Sequence, residues 1–246
     1  MKDNASVQSL DRGIRVLELL AEHGEMTGSA IAAELGLHPS SSCRLLRSLS
    51  KAGLVRKPRF HSFALDYGML LFAGKILQTF PLVPAATIAC NRIMRTHGYL
   101  AIVGILFKER RIYLTKGVQD SSIVLIDDQH YPLHASSVGR LLVYRLGRKK
   151  ALEILRRSIK ECKSGESAET IYEKVDASVR EHGFLFMENE YHNTLNAAQT
   201  FDFEGRTACL AVYSETAHAA PENLRPILDG AIKEMQEAAG KPMRRI

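Results

Sequence analysis

The chain has 246 residues, a net charge of +6 and a pI near 9.2, with 46% hydrophobic and 24% charged residues. That length holds one large domain or two small ones, and the composition is that of a globular chain with a buried core. No stretch approaches the roughly 20 apolar residues of a membrane span, and the N-terminal MKDNASVQSLDR lacks the apolar core of a signal peptide. Cytoplasm is therefore the default expectation. Cys43, Cys90, Cys162 and Cys209 are scattered without a CxxC pair, which argues against a disulfide framework or a structural zinc site.

Leu10, Ile14, Leu17 and Ala21 recur at helical spacing and predict an amphipathic helix over 9–22, broken by Gly24. Thr27 is placed to cap a short second helix carrying Ala30, Ile31 and Leu35, and Gly36 stops it. Gly36-Leu37-His38 has the length of the turn in a helix-turn-helix. Pro39 suits the first turn of a third helix, where a missing N–H costs nothing.

On that third helix Ser42, Leu45, Leu46 and Leu49 form one apolar face. Ser40, Arg44, Arg47 and Lys51 line the opposite side, with Ser41 and Ser48 beside them. From Gly36 to Leu65 there are six Lys/Arg and no acidic residue, a local segregation that favours phosphate contacts. Leu54–Lys57 and Phe60–Leu65 read as two short strands around the basic tip Lys57-Pro58-Arg59, which is a wing. Hydroxyls and guanidinium groups at a helix start can contact base edges. The expected roles are Ser40, Ser41, Arg44 and Arg47 in the major groove, with Lys51, Arg56, Lys57 and Arg59 on phosphates. A dimer would span two half-sites of a double-stranded operator.

A further helix is expected over 67–78, and Pro81 and Pro84 separate it from the next, which runs to about His97. Strand-like runs follow at 99–107, 111–118 and 122–126, then helices at 137–145, 149–160 and 168–182. Strands at 184–188, 195–203 and 207–214 come next, with Glu204-Gly205 as a hairpin turn, and a last helix spans 221–239. Six strands with helices at both ends of the order predict an α+β domain with an antiparallel sheet. There is no internal repeat.

The run SLDRGIRVLELLAEHGEMTGSAIAAELGLHPSSSCRLLRSLSKAGLVRK resembles the N-terminal domain of IclR-type transcriptional regulators. The matching positions are Arg12, Leu17, Ile31-Ala32, Gly36-Leu37, Ser40 to Ser42, Arg44-Leu45-Leu46, Leu49 and Gly53. Phe63-Ala64-Leu65-Asp66 departs from the family's Tyr-x-Leu-Gly. Farther on, Pro132-Leu133-His134-Ala135-Ser136-Ser137-Val138-Gly139-Arg140 is similar to the family's Pro-Leu-His-x-x-x-x-Gly-Lys, with arginine for lysine. Arg180 to Phe184 followed by Glu188-Asn189-Glu190 is similar to its later acidic stretch, although Tyr191 to Leu195 lacks the usual glycine.

The resemblance implies a winged helix-turn-helix at 8–66, a linker helix at 67–80 and a GAF-like effector-binding domain at 81–246. It implies a small carboxylic-acid effector held by the main-chain N–H groups of Ser137 and Val138, with Gly139 permitting close approach. A helix start with free N–H groups suits a carboxylate. By ungapped correspondence Met187, Ala197, Ala211 and Tyr213 stand where glyoxylate-type members carry polar side chains. That makes an aromatic or longer acid the expected ligand.

His130 and His134 are four apart, a metal-binding spacing on a helix, but Pro132 between them points to a loop. Cys43 reads as a small packing residue. Glu188 and Glu190 read as a polar pocket rim or a solvated strand face rather than an acid/base pair. No Gly-x-Ser-x-Gly, Walker loop or dinucleotide fingerprint is present. The reading is thus a ligand-responsive transcription factor of a catabolic operon, neither an enzyme nor cofactor-dependent, acting as a homodimer or dimer of dimers away from membranes. The rival is a small-molecule-binding enzyme whose N-terminal module serves interaction or dimerisation.

Overall fold

The structure is a computed structural model that describes residues 6–118, 121–126, 131–162, 165–189, 194–215 and 220–239. The chain divides into two compact units, Met1–Thr79 and Phe80–Ile246.

In the first unit α1 spans Gln8–His23, α2 Gly28–Glu34 and α3 Pro39–Lys51. Thr27 caps α2 as its hydroxyl accepts the Ala30 N–H at 3.2 Å. Three short strands, β1 (Met26–Thr27), β2 (Val55–Arg56) and β3 (Ser62–Leu65), pair antiparallel in the order β1-β3-β2. The core is Val16, Leu20, Ile31, Leu46, Val55 and Phe63. On α1 the expected apolar stripe is thus displaced: Val16 and Leu20 are buried, whereas Leu10, Ile14 and Ala21 face outward. The second wing strand starts at Ser62 rather than Phe60 because His61 takes a left-handed φ of 72°, which ends extended pairing.

A fourth helix, α4 (Gly68–Thr79), buries none of its residues within the unit, and Leu70, Leu71, Phe72 and Ile76 are exposed. Its start is tied to the turn after α3: the Gly68 N–H donates to the Gly53 carbonyl at 3.1 Å and the Asp66 N–H to Leu54 at 2.9 Å. A Cβ at Gly68 would lie 2.3 Å from the Gly53 oxygen, so only glycine allows this approach.

In the second unit α5 (Leu82–His97) is followed by β4 (Leu100–Phe107), β5 (Arg110–Val118) and β6 (Ser121–Ile126). Then come a 3₁₀ turn (Leu133–Ala135), α6 (Ser137–Tyr144), α7 (Arg148–Cys162) and α8 (Ala168–His182). The unit closes with β7 (Leu185–Asn189), β8 (Thr194–Phe203), β9 (Arg206–Glu215) and α9 (Pro221–Ala239). Pro84 does not delay α5; it sits inside the first turn, where a proline is tolerated.

The six strands form one antiparallel sheet in the order β6-β5-β4-β9-β8-β7. Helices α5 and α9 pack on one face, and α6, backed by α7 and α8, packs on the other. Val138, Leu141 and Leu142 of α6 meet Ile102, Tyr113, Leu185, Ala198, Cys209 and Ala211 there. The architecture is α+β with an antiparallel sheet, as the strand pattern predicts, and the C-terminal unit is GAF-like. The four cysteines are unpaired, and burial pushes the Cys90 thiol up to about 12.

Candidate DNA interface and ligand site

The third helix begins at Pro39, with His38 as its cap. The His38 Nδ1 accepts the Ser40 N–H at 3.3 Å and lies 2.8 Å from the Ser40 hydroxyl. Ser40 is therefore held by the cap rather than presented alone, a bond that needs His38 in the turn and that propensity does not reveal. Ser42 and Leu46 are buried, Leu45 and Leu49 are half-buried, and Arg44, Arg47, Ser48 and Lys51 are exposed on the other side. Ser41 is half-buried. Cys43 is exposed and does not pack: three residues before Leu46, it lies on the flank next to Arg44.

On the wing Arg56, Lys57 and Arg59 are exposed. Arg59 approaches Glu25 at 3.8 Å, so the wing is not purely basic in space although the segment is purely basic in sequence. An exposed pair of this kind contributes about 0–1 kcal/mol and leaves the arginine able to exchange partners. The Lys57 ammonium lies 5.1 Å over the Phe63 ring.

In the second unit the candidate ligand residues gather at the start of α6. Ser136 is its cap: the hydroxyl accepts the Gly139 N–H at 3.1 Å and lies 3.0 Å from the Tyr113 hydroxyl. The Ser137 hydroxyl donates to that of Tyr213 at 3.4 Å. With the Gly139 N–H used by the cap, the amides of Ser137 and Val138 are those beyond the reach of helical carbonyls. Gly139 makes room for backbone, since a Cβ there would lie 2.4 Å from the Leu133 oxygen.

The sheet register decides which strand residues share this face. Met187 pairs with Asn196, and Asn196 with Tyr213; Ala198 pairs with Ala211. All of them face α6 together with Val138. Ala197 does not. Side chains alternate along a strand, so Ala197 faces α5 and α9 with its partners Phe186 and Val212. Asn196 takes the expected place. It is fully buried, its Oδ1 accepts the Thr194 hydroxyl at 2.9 Å, and its Nδ2 has no hydrogen-bond partner among the described residues.

Arg111 on β5 is the other residue the sequence pattern misses. It is buried, with its guanidinium 4.4 Å over the Tyr113 ring and 5.7 Å from that of Tyr131, and it donates to the Tyr131 carbonyl at 3.1 Å. In sequence it is merely the second of two arginines after a turn. Burial, with Tyr113 adding to it, pushes the Tyr213 hydroxyl well above its ordinary value, against the bond from Ser137. The phenol stays neutral and can donate a hydrogen bond.

His130, Asp127, Asp128 and Glu190 lie outside the described residues. Among the described residues no group of three His, Cys, Asp or Glu could hold a metal. His134 is buried, its Nδ1 2.9 Å from the Ser158 hydroxyl, which also accepts the His134 N–H at 3.3 Å. Burial, then the Arg140 charge, holds the imidazole below the ordinary 6.5, with Glu166 and the Ser158 bond opposing. A group depressed on folding binds fewer protons than in the unfolded chain. Its contribution is therefore complete above about pH 6.5 and is lost as the pH falls through the folded value. In urea unfolding, the wild-type midpoint should drop more than that of His134→Gln between about pH 7 and pH 5. Equal drops would remove His134 as the cause.

A cleft of about 1230 Å³ runs between α8, the edge strand β7 and the 3₁₀ turn, lined among others by His134, Arg140, Lys174, Ser178, Glu181 and Met187.

A basic helix and wing on one unit, and a helix start facing buried polar groups on the other, define a winged-helix DNA-binding protein with a separate ligand-type domain. Residues 9–59 match the IclR helix-turn-helix domain. The transcriptional repressor IclR of Escherichia coli (strain K12) is 23% identical over 193 residues, covering 75% of this chain and 70% of that protein. The HTH-type transcriptional regulator BhcR of Paracoccus denitrificans (strain Pd 1222) is 24% identical over 249 residues, covering 96% and 88%. An IclR family transcriptional regulator from Brucella abortus superposes with a TM-score of 0.73 at 16% identity, over 97% of this chain and 93% of that one. An IclR homolog from Microbacterium hydrocarbonoxydans, complexed with 4-hydroxybenzoate, gives 0.66 at 18% identity, over 94% and 98%. Residues 9–59 thus carry an IclR-type helix-turn-helix domain, and the chain as a whole is similar to IclR-type DNA-binding transcriptional regulators.

Proposed function

We propose that the protein is a ligand-responsive regulator of a catabolic operon, with residues 8–66 binding the operator, 67–80 forming a linker helix and 81–246 binding the effector. The exposed basic face of α3 carries the first part of this reading. Arg44 and Arg47, with the hydroxyls of Ser40 and Ser41, read bases; Lys51, Arg56, Lys57 and Arg59 hold phosphates.

The effector is a carboxylic acid, its carboxylate on the Ser137 and Val138 amides close to Gly139. Met187, Ala211 and Tyr213 form the walls, and Asn196 replaces Ala197 among them. Two tyrosine rings, a buried arginine and an amide without a partner among the described residues suit an aromatic acid with a second polar group. The exposed apolar residues of α1 and α4, Leu10, Ile14, Leu71 and Phe72 among them, support a homodimer, from which a dimer of dimers is built. Among the described residues no single helix is long and apolar enough to cross a membrane, and the reading places the protein in the cytoplasm. Its relatives are regulators, so a regulator is favoured over an enzyme with an interaction module.

The test is a DNA titration of wild type and Arg44→Ala, each with and without 4-hydroxybenzoate, on the DNA upstream of its own gene. Arg44→Ala should weaken specific binding by about 1–3 kcal/mol, and wild-type affinity should fall steeply with salt. Unchanged affinity removes Arg44 from the readout; a flat salt dependence refutes the interface.

A further inference from the structure

The cleft beside α8 is separate from the α6 start. Of the residues assigned above to the effector, only Met187 lines it. One wall is a face of α8, since Thr170, Lys174, Ala177, Ser178 and Glu181 follow i, i+4, i+7, i+8 and i+11. The other is β7, the last strand of the sheet, whose outer edge Ser178 stitches to the helix. The Ser178 hydroxyl accepts the Phe186 N–H at 2.7 Å and lies 3.1 Å from the Phe186 carbonyl oxygen.

The two ends of the cleft differ in charge. At one, the Glu166 carboxylate bridges two cations, Lys174 at 2.5 Å and Arg140 at 3.2 Å. The Arg140 side chain is only 11% exposed, and its Nε donates to the His134 carbonyl at 2.5 Å. At the other end stand Glu181, His182 and Glu188. Val175, Leu185 and Met187 give the middle an apolar surface.

Paired cations recognise a carboxylate or phosphate. A carboxylate beyond them accepts hydrogen bonds from hydroxyl groups, and an apolar strip between accommodates a C–H face. We propose that this cleft is a second small-molecule site, for a polyhydroxylated anion whose charged group competes with Glu166 for Arg140 and Lys174 and whose hydroxyls bond Glu181. Because Arg140 belongs to α6 and holds the His134 carbonyl, occupancy alters the support of the turn that leads into α6. The two sites are thereby coupled, each ligand changing the affinity for the other.

The test is calorimetric titration of the full chain with D-gluconate and, separately, with glucose 6-phosphate; glucose is the uncharged control. Lys174→Met and Glu181→Gln alter exposed side chains and leave the core intact. Ser137→Pro removes one amide at the α6 start, a position where proline fits. Saturable binding of either anion, weakened at least about tenfold by Lys174→Met and by Glu181→Gln but kept by Ser137→Pro, supports the site. Whichever anion binds identifies the charged group. Binding of neither, or binding that survives Lys174→Met, overturns the proposal, as does glucose binding equally well. Loss in Ser137→Pro alone returns the ligand to the α6 start. DNA affinity of Lys174→Met, measured in parallel, keeps a failure here distinct from a failure of the regulator reading.

Discussion

Leu46→Ala is expected to remove about 2–5 kcal/mol of stability from the N-terminal unit. Leu46 is 1% exposed and sits between α1, α2 and the wing, against Val16, Leu20, Ile31, Val55 and Phe63. A unit this small has about 5–15 kcal/mol in total at best, so most of it is at stake. In scanning calorimetry of the full chain the transition of this unit should fall by about 10 °C or more, at roughly 4–8 °C per kcal/mol for a domain of this size. Operator binding should be lost with it. A shift of under about 4 °C would mean that the core closes around the gap and that Leu46 is not its centre.

Gly139→Ala is expected to destabilise the C-terminal unit by about 1–3 kcal/mol. The obstacle is backbone: the new methyl would lie 2.4 Å from the Leu133 oxygen and 3.0 Å from its Cγ. Either the 3₁₀ turn or the first turn of α6 must move, and Ser136, which caps the helix through the Gly139 N–H, moves with it. Stability and effector affinity should therefore fall together. A variant with wild-type melting and altered ligand affinity would instead mean that Gly139 meets the ligand itself. Wild-type values for both would show that the turn yields at no cost.

The parts that were legible in the sequence are those written in local spacing. Arg44, Arg47 and Lys51 can be placed opposite Leu46 because a helix repeats every 3.6 residues, and Pro39 and Thr27 mark helix starts by chemistry that acts within four residues. Long alternating strands such as Thr194–Phe203 carry their own signal. Two-residue β1 is too short to show a pattern, and it exists only because Phe63 and Ser62 pair with it.

The misplacement of Ala197 has the opposite character. A strand buried on both faces carries little alternation, so nothing in Thr194 to Ala198 says which residue faces α6; the register with Tyr213 decides it. Leu10 and Ile14 mislead for a related reason, since an apolar side chain gives the same signal whether its partner is inside the unit or elsewhere. Glu25 beside Arg59, and the cleft that joins Arg140 to Lys174, arise from residues more than twenty positions apart. No local rule reaches that far.

The Gly53–Gly68 contact makes α3 and α4 behave as an angle bracket. Two backbone hydrogen bonds join them where α3 ends and α4 begins, with no side chain between to act as a cushion. At about 1.5 Å per residue, the 12 residues of α4 form an arm of about 18 Å. Turning that arm by a small angle rotates Arg44 and Arg47 by the same angle, instead of being absorbed at the joint. A bulkier residue at position 68 would open the bracket, because its Cβ would meet the Gly53 oxygen.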